Sequence, residues 1–173
     1  FRVSRIVSNL REAIRGGGEE ATVIDLAVVA RSAAIESARS LGAAERIEIV
    51  GDASVMARGA AGPVELAVSN MVRNALEASD PEAAVRVAIR RHDDWAEIRV
   101  DDEGPGVPSE DLDRVFEPFF STKTERGGTG LGLAITRDMI ASLGGEVSLE
   151  NLASGGARAT VRLRLWKESE ASS

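Results

Sequence analysis

Asn70 and Asn74 stand four residues apart in the run Asn70-Met71-Val72-Arg73-Asn74, a spacing that puts both on one face of a helix. Asparagine is a mediocre helix former, so the pair is either a wet exposed stripe or a donor set. An amide oxygen is a neutral hard ligand of the kind Mg²⁺ accepts beside water and substrate phosphates. Asp102-Glu103-Gly104-Pro105-Gly106 offers a carboxylate able to accept a hydrogen bond from an exocyclic amine such as adenine's. Its two glycines let backbone approach a flat ring or a phosphate, although the same residues also suit a tight strand-exit turn. Gly127-Gly128-Thr129-Gly130-Leu131-Gly132-Leu133 leads straight into Ile135 and Ile140 at helical spacing, which a plain linker does not do. Successive N–H groups of such a loop converge on an anion, and the helix N-terminus favours negative charge, so the segment is a phosphate cradle. It is neither a Walker A loop nor a dinucleotide fingerprint, because no strand leads directly into it and no Gly-Lys-Ser/Thr ends it. Val115 to Lys123 holds three of the four phenylalanines. They either anchor a loop on the core or clamp a lid or partner, and Lys123 brings a point charge suited to a terminal phosphate.

Elements must hold these segments together. Val3, Ile6, Val7, Leu10 and Ile14 predict an amphipathic helix ended by Gly16, Gly17 and Gly18. Asp25 is the expected N-cap of a second helix, through Val28, Val29 and Ile35 to about Leu41, with Gly42 as its stop. Short strands are expected over 46–50 and 54–58. Pro63 fits the first turn of the helix carrying the asparagines, which reaches Ser79 before Pro81. Residues 83–91 and 95–101 read as a hairpin around His92, Asp93 and Asp94, followed by a short helix near 111–116. A mobile glycine-rich stretch over 121–130, a helix over 131–143 and strands over 146–150 and 157–165 complete the chain. Strands that pair locally, with helices interspersed, predict an α+β fold with a mixed sheet and helices on one face.

The 173 residues suit one domain plus a short extension. With 3% aromatics, the core must rest on Val, Ile, Leu and Ala. A net charge of -7 argues against nucleic acid as the main partner. The absence of cysteine excludes disulfides and thiolate metal sites. No apolar run approaches a membrane span, and no signal peptide opens the sequence.

In this order, NMVRNALEA, DDEGPGV, VFEPFFSTK and GGTGLGLAI resemble the four boxes of the catalytic ATP-binding domain of sensor histidine kinases. That family is grouped with gyrase, MutL and Hsp90-type ATPases. The third box looks like the branch of nitrogen-regulation and oxygen-sensing kinases. The resemblance covers most of the chain, from about Asp25 to Leu165, and implies a two-layer α/β sandwich of the Bergerat type with a flexible ATP lid between Phe120 and Gly130. It implies ATP and Mg²⁺ as cofactors, Asn74 as the metal ligand, Asn70 near the phosphates and Asp102 on the adenine amine. Gly104, Gly106 and Val107 are implied to lie along the base, with Lys123, Gly128, Thr129, Gly130, Leu131 and Gly132 over the triphosphate.

Where the ATPase relatives and related serine kinases carry a glutamate four residues before the metal-binding asparagine, this chain has Asn70, which cannot act as a base. That favours transfer to an acceptor already nucleophilic, such as an imidazole, over hydrolysis or serine phosphorylation. Ala157 stands where the family often has a threonine near the base, which puts that hydrogen bond in doubt. His92, the only histidine, sits in a charged turn and reads as a surface residue, not the family's phosphoacceptor. Residues 1–18 are expected to be the end of the dimerisation helix, 19–167 the catalytic domain and 168–173 a disordered tail. The partners implied are the chain's own dimerisation domain and a response-regulator receiver domain. The full-length protein is expected to be a cytoplasmic homodimer, with an inner-membrane anchor compatible with the resemblance. The alternatives are a nucleotide-binding module or degenerate histidine phosphotransferase without kinase activity, or an ATPase or serine kinase of the same wider group.

Overall fold

The structure, a computed structural model, describes residues 19–121 and 129–167. The expected dimerisation-helix remnant over 1–18, the tail over 168–173, most of the lid, Lys123 and Gly128 lie outside the described residues.

Among the described residues, seven strands and three α-helices build the domain. They run β1 (Thr22–Asp25), α1 (Leu26–Ser40), β2 (Ile47–Gly51), β3 (Met56–Gly59), α2 (Ala61–Ala78), β4 (Val85–His92), β5 (Trp95–Asp101), α3 (Gly132–Ser142), β6 (Glu146–Asn151) and β7 (Ala157–Arg164). Five strands form a mixed sheet in the order β2-β4-β5-β7-β6, in which only β2 and β4 run parallel. β1 and β3 pair as a separate antiparallel ribbon, joined to the main sheet by a bridge between Ala57 and Leu165. The three helices pack side by side, α1 on α2 and α2 on α3. This is the expected α+β arrangement of a mixed sheet with helices on one face.

Period-two patterning sets the sheet's two faces. Val85, Val87 and Ile89 of β4, Ala96, Ile98 and Val100 of β5, and Val161 and Leu163 of β7 are buried in the common core with Leu26, Val64, Val68, Met71 and Val72 of the helices. The other face of β5 carries Glu97, fully buried beneath Arg90, Arg99 and Arg162 at 3.0, 3.0 and 2.8 Å. Burial alone raises this carboxyl, but the three guanidiniums outweigh it and hold the group below the usual carboxylate range.

Asp25 caps α1 as expected, its Oδ1 accepting from the N–H groups of Ala27 and Val28 at 3.0 and 3.4 Å. The same carboxylate accepts from Val55 N–H and from the Ser54 hydroxyl, so one residue starts the helix and fixes the loop before β3. Burial raises its carboxyl, while these donors together hold it below the usual range.

Two readings need correction, and one strand was not anticipated. The core face of α1 is made of Leu26, Ala27, Ala30, Ala33, Ala34 and Ala38, whereas Val28 and Ile35 are 59% and 41% exposed. Small alanines let α1 lie close to the sheet and to α2, and the larger residues were the misleading signal. The helix expected near 111–116 is a 3₁₀ turn, Ser109–Asp111, followed by turns as far as Phe119. The ribbon strand Thr22–Asp25 is too short to show a period. The remaining elements match the expected ones to within a few residues.

Candidate functional site

The spine of the site is α2. Its apolar positions, among them Val64, Ala67, Val68, Met71, Val72 and Ala75, bury one side of the helix. Asn70, Asn74 and Ala78 follow one another at four-residue spacing on a single stripe. At one end of that stripe, the Asn70 amide nitrogen donates to Gly132 O at 3.2 Å and to Thr136 Oγ1 at 3.1 Å. At the other end, Gly104 lies against the last turn, where an added Cβ would fall 2.8 Å from Ala78 O. Eight residues of helix, about 12 Å of axis, therefore separate the glycine-rich start of α3 from the Asp102 loop. Asn74 lies half-buried midway between them. The structure brings Asn70, Asn74, Asp102, Gly104 and Gly132 to one face of one helix.

The Asp102 end is wired through the backbone. Where β5 ends, Asp101 is clamped by a bidentate Arg158 guanidinium, with both contacts at 2.7 Å. Asp102 follows directly. Its N–H donates to Ala157 O at 2.9 Å, and its Oδ1 accepts from Gly104 N–H at 2.8 Å and Ala157 N–H at 3.2 Å. Oδ2 accepts no hydrogen bond among the described residues. The carboxylate is thus oriented by two main-chain donors with one oxygen left to read an outside donor. Ala157 contributes its N–H here and, as an alanine, no side-chain hydrogen bond. Gly156 makes the approach possible. Its φ is +85°, and a Cβ there would sit 1.8 Å from Asp102 O.

Sequence reasoning missed Asn151, which holds the other half of this loop. Its Oδ1 accepts from Val107 N–H at 2.8 Å and its Nδ2 donates to Val107 O at 2.7 Å, a paired amide contact across 44 residues of sequence. Gly106 and Val107 are fixed by it. The available signal was an asparagine at the end of β6, since asparagine is depleted in strands.

At the other end, Gly132 is the first residue of α3, and Leu131 at its N-cap makes no side-chain cap hydrogen bond. Leu131 N–H points at Thr129 Oγ1, 3.4 Å away. Gly130 O accepts from Phe119 N–H at 2.9 Å, tying the loop to the phenylalanine segment. Within that segment Val115 is buried, the Arg114 guanidinium lies 4.4 Å from the Phe120 ring centre, and Phe119 is 74% exposed with φ +68°. Both an anchoring part and an exposed part are therefore present. Thr136 was the second residue that sequence reasoning missed. It is 1% exposed, and a β-branched polar residue inside an apolar helix pattern was its signal.

Two other places carry no comparable chemistry. The groove between α1 and α2 is lined by Glu19, Glu36, Glu65 and Glu77 with Arg73, a charge balance that repels a polyphosphate. His92 lies on the open sheet face, its side chain 48% exposed and 3.6 Å from Glu97.

Residues 59–167 match the family of histidine kinase-, DNA gyrase B- and HSP90-like ATPases. The sensor histidine kinase CpxA of Escherichia coli strain K12 is 43% identical over 110 residues, which is 61% of this chain and 24% of that protein. AfsQ2, a signal transduction histidine-protein kinase of Streptomyces coelicolor, is 32% identical over 167 residues, 94% of this chain and 30% of that protein. Among solved structures, the ATP binding domain of PrrB from Mycobacterium tuberculosis aligns with a TM-score of 0.68 at 27% identity, covering 86% of this chain and all of that one. The chain thus spans about a quarter to a third of the length of these two sensor kinases.

Proposed function

Because the chain belongs to the family of histidine kinase-, DNA gyrase B- and HSP90-like ATPases, we propose that it is the ATP-binding catalytic domain of a sensor histidine kinase. It passes the γ-phosphoryl of ATP to an imidazole nitrogen on a dimerisation domain, with ADP as the leaving product, for relay to a response-regulator aspartate. The carrying observation is the Asp102 carboxylate, held by two backbone N–H groups through Oδ1, with Oδ2 left without a partner among the described residues. That arrangement reads the exocyclic amine of adenine, with Gly104, Gly106 and Val107 along the base.

The α2 stripe then leads from base to phosphates. Asn74 is the metal ligand in this reading, and Thr129 to Gly132, with Lys123 and Gly128, receive the triphosphate. Among the described residues no cluster of three or more His, Cys, Asp or Glu could hold a cation by itself. A single neutral amide fits Mg²⁺, which keeps water and substrate phosphates for its remaining positions. When bound, the ion neutralises charge developing on the transferring phosphoryl group.

What the chain supplies is mainly positioning. Asn70 is neutral and both of its amide hydrogens are engaged, by Gly132 O and Thr136 Oγ1. It cannot take a proton from water. This supports transfer to an acceptor that arrives already nucleophilic, rather than hydrolysis. His92 lies beside Asp93 and Glu97 on the open sheet face, which supports an acceptor histidine on another domain. The reading includes a cytoplasmic homodimer and the nitrogen-regulation and oxygen-sensing branch, the latter resting on the segment around Phe116. No helix among the described residues is long and apolar enough to cross a membrane.

The test mixes this chain with radiolabelled ATP, Mg²⁺ and a separately purified dimerisation domain. Label on that domain's histidine is the expected result. Nucleotide binding without label points to a degenerate module. Free phosphate in the absence of the added domain points to an ATPase.

A further inference from the structure

We infer that Thr136 is a positioning residue for the triphosphate end of the site, acting through Asn70; the inference rests on the nucleotide reading above. The two side chains sit on different helices, 5% and 1% exposed, and meet at 3.1 Å. Gly132 O is a carbonyl and can only accept, so the amide atom facing it at 3.2 Å must be the nitrogen. This fixes which way round the Asn70 amide sits without reference to any ligand. The second amide hydrogen needs an acceptor in a buried place, and the Thr136 hydroxyl is that acceptor. Asn70 Oδ1 accepts no hydrogen bond among the described residues. The amide lies over the first residue of α3, with its Oδ1 3.5 Å from where a Gly132 Cβ would be.

The consequence is a clasp between two helices. α2 carries Asn74 one turn beyond Asn70, and α3 presents the N-terminus that faces the phosphates. With no side-chain cap at Leu131, the first turn of α3 depends on its neighbours for its place. Without the Thr136 hydroxyl, a buried N–H of Asn70 is orphaned and the amide is driven to leave its pocket. The first turn of α3 is then released from α2. The base end, two turns further along α2 at Ala78 and Gly104, shares none of these bonds.

Thr136→Val is close in shape and removes the hydroxyl. On the full chain, we expect it to weaken binding of the Mg²⁺ complex of a non-hydrolysable ATP analogue by about tenfold, the scale of one buried hydrogen bond. Affinity for AMP, read by chemical-shift titration, should stay the same. Thr136→Ser should restore the analogue's affinity, and the Asn70 side-chain amide resonances should shift in the valine variant and return in the serine one. Should the valine variant not fold, Thr136→Ala removes the hydroxyl by a smaller side chain and is read identically. Unchanged analogue affinity overturns the inference. So does an equal loss for analogue and AMP, which is the mark of general destabilisation, and so does failure of serine to rescue. A wild-type chain that binds neither ligand sinks the nucleotide reading itself and this inference with it, whereas wild-type binding matched by the valine variant sinks only the inference.

Discussion

The two ends of the α2 stripe are built from different materials. At the Asp102 end the polar contacts run through main chain: Gly104 and Ala157 N–H groups on the carboxylate, and both backbone groups of Val107 on Asn151. The geometry there follows from where β5 and β6 end and β7 begins, so it is tied to the sheet. At the Asn70 end the contact is one side chain reaching across to another helix. Its geometry follows from how α2 and α3 pack. The lesson is a division of labour. In the proposed reading, base recognition is inseparable from the fold, while the phosphate end can be perturbed with the fold standing.

The largest expected effect breaks the rigid end outright. Gly156→Ala forces a Cβ to 1.8 Å from Asp102 O at a φ of +85°. We expect a loss of about 3 kcal/mol or more in unfolding free energy, from steric overlap plus left-handed strain. Denaturant titration checks it, and wild-type stability would mean that this end is softer than its hydrogen bonds imply. Next comes Asp102→Asn, which exchanges a charged acceptor for a neutral amide. ATP affinity should fall by about 1–3 kcal/mol. An unchanged affinity in a nucleotide titration rejects the role given to Asp102.

How legible this was in the sequence follows from the same contrast. Asp102, Gly104 and the 127–133 glycines advertised themselves because loop chemistry requires specific residue types at specific places. Val85, Val87 and Ile89 gave away their strand by alternation, and they are buried in the sheet as that pattern requires. The core face of α1 was hidden because alanines carry little hydrophobic signal, while exposed Val28 and Ile35 carry a strong one. Asn151 and Thr136 were missed for a different reason. Their partners, Val107 and Asn70, lie 44 and 66 residues away, and no local pattern encodes such a pairing. The residues proposed to read ligand chemistry were visible, and the residues that hold them in place were not.

Asn151→Ala sharpens the comparison from the rigid side. It strips two solvent-exposed hydrogen bonds from Val107, so a cost of about 1 kcal/mol shared between stability and nucleotide affinity is expected. A loss of affinity with no loss of stability would show that the base loop is less coupled to the sheet than its wiring suggests.

Asn74→Ala is the smallest perturbation of the fold and the strictest test of the flexible side. Asn74 stands mid-helix and half-buried on α2, and alanine is the better helix former there. The propensity gain offsets part of whatever contact is lost, so unfolding free energy should move by less than about 1 kcal/mol. Transfer that depends on Mg²⁺ should nonetheless disappear, because in the proposed reading the amide oxygen is the protein's contribution to holding the ion. Thermal unfolding and phosphotransfer measured on the same preparation separate the two quantities. Full activity in the alanine variant would place the metal on other ligands. A collapse of stability would erase the distinction between the two ends, since the phosphate side would then be as bound up with the fold as the base side.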